Sequence, residues 1–536
     1  MIGQNLKNNE EMKPNRREME KLKKDFPQFF SKYGEFKLDM FKDFLGEEEV
    51  DISKEGYELK FLGKSYAKYL SSLETETYIS PDSNHNEKNE NKDSENLYIV
   101  GDNLDALKHM LGSYSGKIKC IYIDPPYNTG KDGFVYPDNF QFNKEYLSEK
   151  IGITVEEAGR ILELAGKSTH SAWMTFMYPR LTLARDLLSD DGVIFISIDY
   201  NEQANLRLMC DEVFGEENFI ANLTWANKEG GGSSDSKHFR VKDENIITYG
   251  KSKNLANING LPVSDINRYI GKDKYLQTRG PFQLIKLDSA SIRYSESLDY
   301  YISMPDGQKI KASTDNERKS WRWSKEKFEW GLENGYVEIK KDRDGNWAVY
   351  TKQYLNADNE GNIIKRNIQP MGIIDEFSTT QANKYLKKLL GNNMFSYSKP
   401  AELIKFLCDR VINKNGTILD FFSGSSTTAD AVMQLNAEDG GNRKYIMVQL
   451  PEKIKESKPA YKAGYKSIDE IGRARIEKAA EKIKKETGAD IDYGYKLYYL
   501  EKPSEKTLID LENFVPEIKL ITDDMVSIFD NEHSNG

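Results

Sequence analysis

The tetrapeptide Asp124-Pro125-Pro126-Tyr127 follows directly on the apolar run Ile118–Ile123 (IKCIYI), which reads as a buried strand. In an open parallel sheet, ligands bind beyond the carboxyl ends of the strands, so this loop stands where chemistry takes place. Its two prolines stiffen the backbone, remove two N–H donors and leave carbonyls free to face a ligand. Asp124 adds a carboxylate acceptor and Tyr127 an aromatic face. Such a loop accepts hydrogen bonds and stacks a ring, and the amino group of adenine offers two donors on a ring. That nitrogen is a poor nucleophile because its lone pair is delocalised into the base. Acceptors on both N–H bonds favour the pyramidal form that attacks an electrophilic methyl group. This reading assigns Asp124 and the Pro125 carbonyl to the amino group and Tyr127 to a base flipped from the duplex. The competing reading is an ordinary turn after a strand, since Asp and Pro are common turn formers.

A second strand-loop-helix pattern lies at residues 420–428 (DFFSGSSTT), where Asp420 closes an apolar run and Gly424, Ser425 and Thr427 precede a helix. Small residues let the backbone approach a cofactor, and the helix N-terminus presents free N–H groups to a carboxylate. The Gly-Lys-Ser/Thr ending of a nucleotide phosphate loop is missing, so a carboxylate-bearing cofactor without phosphates fits better than ATP. Gln449, ending the next strand, faces either ribose hydroxyls or solvent. Gly101-Asp102-Asn103 ends a third strand, LYIV. There Asn103 is read as the helix N-cap and Asp102 as the cofactor contact.

The elements that must hold these loops alternate short apolar strands with helices from Leu97 onward, the pattern of a parallel sheet with crossovers. SAWMTFMYPRLTLARDLL reads as a helix kinked or broken near Pro179, with Asp190-Asp191-Gly192 turning the chain into the strand VIFISI. Leu206, Met209, Cys210 and Val213 line one helix face, as do Leu403, Leu407 and Val411. Between the two α/β stretches, residues 228–370 are rich in Gly, Asn, Lys and aromatics and read as an inserted domain. The expected division is therefore 1–96 (helical region and polar linker, with the polar stretch 81–95 solvated), 97–227 and 371–465 (two halves of one sheet), 228–370 (insert) and 466–536 (helix, strand and a disordered last dozen residues).

Composition narrows the partners. A formal net charge of −10 argues against non-specific coating of nucleic acid, whereas the stretch 228–366 carries a surplus of Lys and Arg and is the expected polyanion contact. There Arg322, Lys325 and Lys327 interleave with Trp321, Trp323, Phe328 and Trp330. Such mixing suits phosphate and base contacts, and it equally suits a small core of the insert's own. Cys120, Cys210 and Cys408 lie far apart, and the five histidines form no cluster, so neither disulfides nor a metal site is expected. No apolar run reaches the roughly 18 residues of a membrane span, and a cytoplasmic location is expected.

Taken together, the three loops resemble those of the beta-class DNA amino-methyltransferases, in the order catalytic D-P-P-Y, recognition insert, cofactor loop. Phe395, Tyr397, Lys399 and Pro400 are similar to the F-x-Y-x-K-P element that closes over the cofactor methionine in that class. Over residues 97–500 the chain most resembles the modification (Mod) subunits of type III restriction-modification systems, through YIDPPYNTGKDGFVYPDNF, FISIDYNEQANL, WRWSKEKFEWG and DFFSGSSTTADAVMQLNAEDGGNRKYIMVQLPE. The resemblance implies a seven-stranded Rossmann-like methyltransferase sheet built from two chain segments, with 228–370 as target recognition domain. It implies S-adenosylmethionine as cofactor, adenine N6 in double-stranded DNA as substrate, a homodimer, and a restriction (helicase-nuclease) partner. It assigns Asp124, Pro125, Pro126 and Tyr127 to catalysis, Asp102 to the cofactor adenine, and Phe422, Gly424 and Thr427 to the methionine end. Ser426 and Gln449 stand where the broader class has a glycine and an acid, departures that type III Mod subunits share. The alternatives are N4-cytosine methylation, a catalytically idle DNA-recognition subunit, and an RNA substrate. No Pro-Cys nucleophile is present for cytosine C5 methylation.

Overall fold

The structure, a computed structural model, describes residues 2–31, 34–45, 58–130, 134, 137, 143–228, 239–263, 265–289, 292–314 and 317–503. The last dozen residues and most of 131–142 lie outside that set. The chain divides into two compact units, Met1–Ile258 with Met371–Gly536, and Asn259–Pro370. The second begins later than the 228 read from the sequence, because Asp243–Gly250 is a strand of the main sheet.

The first unit is built on one mixed sheet. In chain order its strands are β1 Tyr78–Pro81, β2 Leu97–Val100, β3 Ile118–Ile123, β4 Leu188–Ile198, β5 Phe219–Ala226, β6 Asp243–Gly250, β7 Ile373–Ile374, β8 Asn415–Asp420, β9 Asn442–Gln449 and β10 Lys496–Glu501. Their spatial order is β1-β10-β2-β9-β8-β3-β4-β6-β5-β7. Among the described residues the sheet thus has ten strands where seven were expected. The three at its margins are β1 and β10, drawn from the two ends of the chain, and the two-residue β7. The central strands β2, β9, β8, β3 and β4 pair in parallel, and their long apolar runs are buried on both faces, as parallel strands require.

Helices cover both faces. α1 Asn103–Tyr114, α2 His170–Leu187 and α3 Gln203–Phe214 pack on one, burying Leu107, Trp173, Leu181 and Met209 against Ile121 and Ile194. α4 Ala401–Val411, α5 Thr427–Asp439 and α6 Ile468–Thr487 pack on the other, with Leu403, Val432 and Ile476 against Tyr122 and Met447. α2 runs through Pro179 without a break. Asp190–Gly192 is not a turn but a bulge within β4, where the pairing jumps from Ile118↔Leu188 to Cys120↔Val193. A side chain on Gly192 would meet the Ile118 carbonyl at 2.9 Å. The polar stretch 81–95 is mostly exposed, as expected for a solvated segment, yet it is locally ordered. Asp82 caps the helix Ser83–Asn86, while buried His85 and Asn91 bond to each other and to Tyr495 just before β10.

The second unit has a three-stranded antiparallel sheet (Phe282–Lys286, Trp347–Tyr354, Val337–Lys341) and the helix Lys325–Glu333. Trp321, Trp323 and Phe328 are buried in its core, and Trp330 stacks on Tyr336 at 5.1 Å. Alternation sends Arg322 outward between the two inward tryptophans. The aromatics of this segment therefore pack the unit itself, and the basic residues between them face solvent or lie half-buried.

Candidate functional site

The chain leaves β3 at Ile123 and enters Asp124-Pro125-Pro126-Tyr127, while the neighbouring strand β8 ends at Asp420 and enters residues 421–426. β3 and β8 pair in parallel, with Ile418 opposite Cys120 and Leu419 opposite Ile121, so both loops issue from the same edge of the sheet. The catalytic candidates and the cofactor candidates are thereby brought side by side.

The loop after β3 is held on three sides. The Trp173 indole N–H donates to the Pro126 carbonyl at 2.7 Å, which fixes the prolines against α2. Asn128 takes the left-handed conformation at φ 57°, and its amide donates to Glu202 at 2.5 Å. Glu202 is fully buried and also meets His170 Nδ1 and the Asn205 amide, each at 2.7 Å. The third support is Lys399, which the family resemblance places at the cofactor methionine. Its ammonium donates instead to both oxygens of Asp124 at 2.8 Å and to the Tyr127 hydroxyl at 2.7 Å, with Glu244 Oε2 at 3.3 Å. The Tyr127 hydroxyl lies 2.7 Å from Asp124 Oδ1 and 3.0 Å from Glu244 Oε2, and the Asn227 amide donates to the other Glu244 oxygen at 2.7 Å.

Burial opposes the Lys399 charge, but the carboxylates of Asp124 and Glu244 outweigh it and raise the ammonium's pKa. Burial likewise opposes the Glu244 charge, yet Lys399, Asn227 and Tyr127 hold that carboxyl below its ordinary range. Burial, reinforced by the two carboxylates, pushes the Tyr127 phenol well above 10, so it stays a neutral donor.

Across the gap, the loop after β8 turns on two left-handed residues, Gly424 at φ 49° and Ser426 at φ 59°. Asp420 is buried and closes the loop, accepting from the Phe422 N–H at 3.1 Å and the Thr428 hydroxyl at 2.6 Å. Burial raises it to about 7, against the pull of those two bonds. Gln449 is buried rather than solvated, and its carbonyl accepts from the Gly424 N–H at 2.6 Å. The Phe395 ring neighbours Gly424, where a Cβ would meet it in ordinary contact at 3.4 Å. Pro400 is buried ahead of α4, Tyr397 is 89% exposed at φ 63°, and the Phe422 ring lies 6.0 Å from Phe176.

At the start of α5, the buried Arg475 of α6 donates to the hydroxyls of Ser398, Ser425 and Thr427 at 2.9, 3.1 and 2.7 Å, while its Nε pairs with Asp430 at 3.0 Å. Ser426 precedes α5 without capping it by its side chain, which leaves first-turn N–H groups for a carboxylate. At the third strand end, the N-cap is Asp102 and not Asn103. Asp102 accepts from the Leu104 N–H at 2.8 Å and pairs with Arg180 at 3.2 Å. The Asn103 amide donates to the Phe421 carbonyl at 2.8 Å, tying this turn to the loop after β8.

Sequence reasoning did not single out Trp173, Glu202, Asn227, Glu244, Gly472 or Arg475. Glu202 lies inside FISIDYNEQANL, a block with no role attached to it, and Glu244 lies in a segment read as part of the insert.

Residues 118–461 match the family model N6_N4_Mtase, described as DNA methylase. The Mod subunit of the type III restriction-modification enzyme StyLTI of Salmonella typhimurium is 37% identical over 536 residues, covering 96% of this chain and 78% of its own. The EcoPI Mod subunit of Escherichia phage P1 is 39% identical over 509 residues, covering 90% and 77%. The EcoP15I Mod subunit of Escherichia coli is 36% identical over 530 residues, covering 91% and 78%.

Proposed function

The chain belongs to the DNA methylases of the N6_N4_Mtase family, among the modification subunits of type III restriction-modification enzymes, and from that premise we propose a site and a substrate for its methyl transfer. It is a methyltransferase whose cofactor, S-adenosylmethionine, supplies an electrophilic sulfonium methyl group. The acceptor in this reading is adenine N6 in double-stranded DNA. The observation that carries it is the parallel pairing of β3 with β8, which sets an acceptor-rich loop beside a small-residue loop and an uncapped helix N-terminus.

The residues present fit the cofactor. The first turn of α5, with the hydroxyls of Ser425 and Thr427, suits an α-carboxylate. The backbone at Gly424 and the ring of Phe395 suit close approach of the methionine chain and its sulfonium, with Phe422, Gln449 and Pro400 around it. Asp102 keeps acceptor capacity for an adenine or ribose beyond its capping bond.

On the other side, Asp124 and the Pro125 carbonyl accept from the two N–H bonds of the extruded amino group, Pro126 stiffens their support, and Tyr127 stacks on the base. The attack is direct and in line, with no covalent enzyme intermediate. The unit Asn259–Pro370 serves as target recognition domain. The subunit works as a homodimer and pairs with a helicase-nuclease restriction subunit.

Digestion to nucleosides of DNA treated with methyl-labelled cofactor tests the substrate. Label in N6-methyldeoxyadenosine is the expected result, whereas label in N4-methyldeoxycytidine would replace adenine by cytosine as the target.

A further inference from the structure

Asp124 has little acceptor capacity to spare in this structure. A carboxylate offers about four lone-pair sites. Lys399 engages both oxygens, and the Tyr127 hydroxyl lies at 2.7 Å from one of them. An incoming amino group must therefore share Asp124 with the ammonium or displace it. Lys399 is 8% exposed, so a displaced ammonium left without a counter-charge would be strongly disfavoured. The same Nζ already has a second carboxylate within reach, Glu244 Oε2 at 3.3 Å, held by the Asn227 amide and 16% exposed. Two carboxylates thus flank one ammonium, one of them on the loop after β3 and the other at the start of β6.

We propose that Glu244 is a positioning residue for methyl transfer, taking over Lys399 as the target amino group engages Asp124. The inference rests on the reading of Asp124 as the acceptor for that amino group. Glu244 acts through Lys399 and touches neither substrate nor cofactor. Its removal leaves Lys399 clamped on Asp124 and slows the step after binding.

The test is a double-variant cycle in the full-length chain, with Glu244→Gln, Lys399→Met and the pair together, assayed with saturating S-adenosylmethionine and double-stranded DNA and normalised to titrated cofactor sites. Glu244→Gln is expected to lower kcat about tenfold, within the range that contacting residues couple, while KM for cofactor and DNA stays near the wild-type value. In the Lys399→Met background, Glu244→Gln is expected to change kcat no further, and that comparison decides the matter even where the single variant is unstable. Wild-type kcat in Glu244→Gln, or full additivity of the two substitutions, overturns the proposal. Asp124→Asn separates the two levels of inference. If Asp124→Asn stays active, the parent reading fails; if it is inactive while Glu244→Gln is fully active, only the role of Glu244 fails.

Discussion

Asp420 shows how one buried carboxyl shapes a loop at a cost that pH reveals. Its pKa is raised from an ordinary 3.8 to about 7, so between those values the folded chain holds a proton that the unfolded chain releases. Its contribution to stability is then fully present below about pH 3.8 and is lost as the pH rises through about 7. Asp420→Asn, which cannot titrate, should flatten that part of the profile. Thermal melts of both proteins between pH 5 and pH 8 check this: the difference in Tm should shift in favour of the variant as the pH rises towards about 7 and level off above it. A constant difference would mean that Asp420 does not titrate in that window.

At this scale the residues that meet at Asp124 differed in how much the sequence disclosed. Asp124 to Tyr127 form a contiguous tetrapeptide whose chemistry is readable in place. Glu244 is one acid among 86 Asp and Glu, and nothing local marks it, because its meaning comes from Lys399, 155 positions along the chain. Lys399 itself was legible as a site residue only through the family resemblance, and the partner expected for it was the cofactor rather than Asp124.

At the scale of elements, α6 is the piece whose role the sequence concealed. Its helical character is plain from GRARIEKAAEKIKKE, but the family match ends at residue 461, before the helix begins. Yet Gly472 lies against the loop after β8 so tightly that a Cβ there would fall 2.5 Å from Ser426 Oγ, 2.8 Å from the Tyr98 hydroxyl and 3.1 Å from the Gly424 carbonyl. This explains how a serine is accommodated at position 426, since its side chain occupies space that glycine in α6 leaves open. Gly472→Ala should therefore weaken binding of S-adenosylmethionine by roughly tenfold, an overpacking effect of about 1–3 kcal/mol on the loop. DNA binding should hardly change. Calorimetric titration with cofactor checks it, and adding Ser426→Gly should recover part of the loss. Unaltered affinity in Gly472→Ala would show that the loop yields freely.

Elements of the central sheet were legible because buried parallel strands are short apolar runs, as at Ile118–Ile123. The marginal strands were not, since β1 and β10 join residues 78–81 to 496–501 and no local pattern announces a pairing over such a distance. The Asp190–Gly192 bulge was misread for a related reason. Asp-Asp-Gly has turn composition, and only the pairing with β3 shows the strand continuing through it.

For the whole molecule, two compact units separate the chemistry from the surface proposed to read DNA. The second unit carries its own aromatic core around Trp321, Tyr336 and Tyr354, so its boundaries, Asn259 and Pro370, are natural points for exchange. Replacing 259–370 by the corresponding segment of a related Mod subunit should leave cofactor affinity unchanged and move the methylated positions in DNA to the donor's site. Mapping modified adenines by sequencing checks it, and retention of the original positions would place recognition elsewhere in the chain. The net charge of −10 agrees with a protein that binds DNA through a limited surface, and its binding should weaken steeply with salt as phosphate contacts release counterions.

The most direct test of the account is methyl transfer by Asp124→Asn under single-turnover conditions, with cofactor and DNA binding measured in the same preparation. Both ligands are expected to bind as in the wild type, while transfer falls on the order of 100-fold or more, as for loss of a group that acts on the reacting atoms. Transfer near the wild-type rate, from a variant that can no longer offer a carboxylate to the amino group, would contradict it.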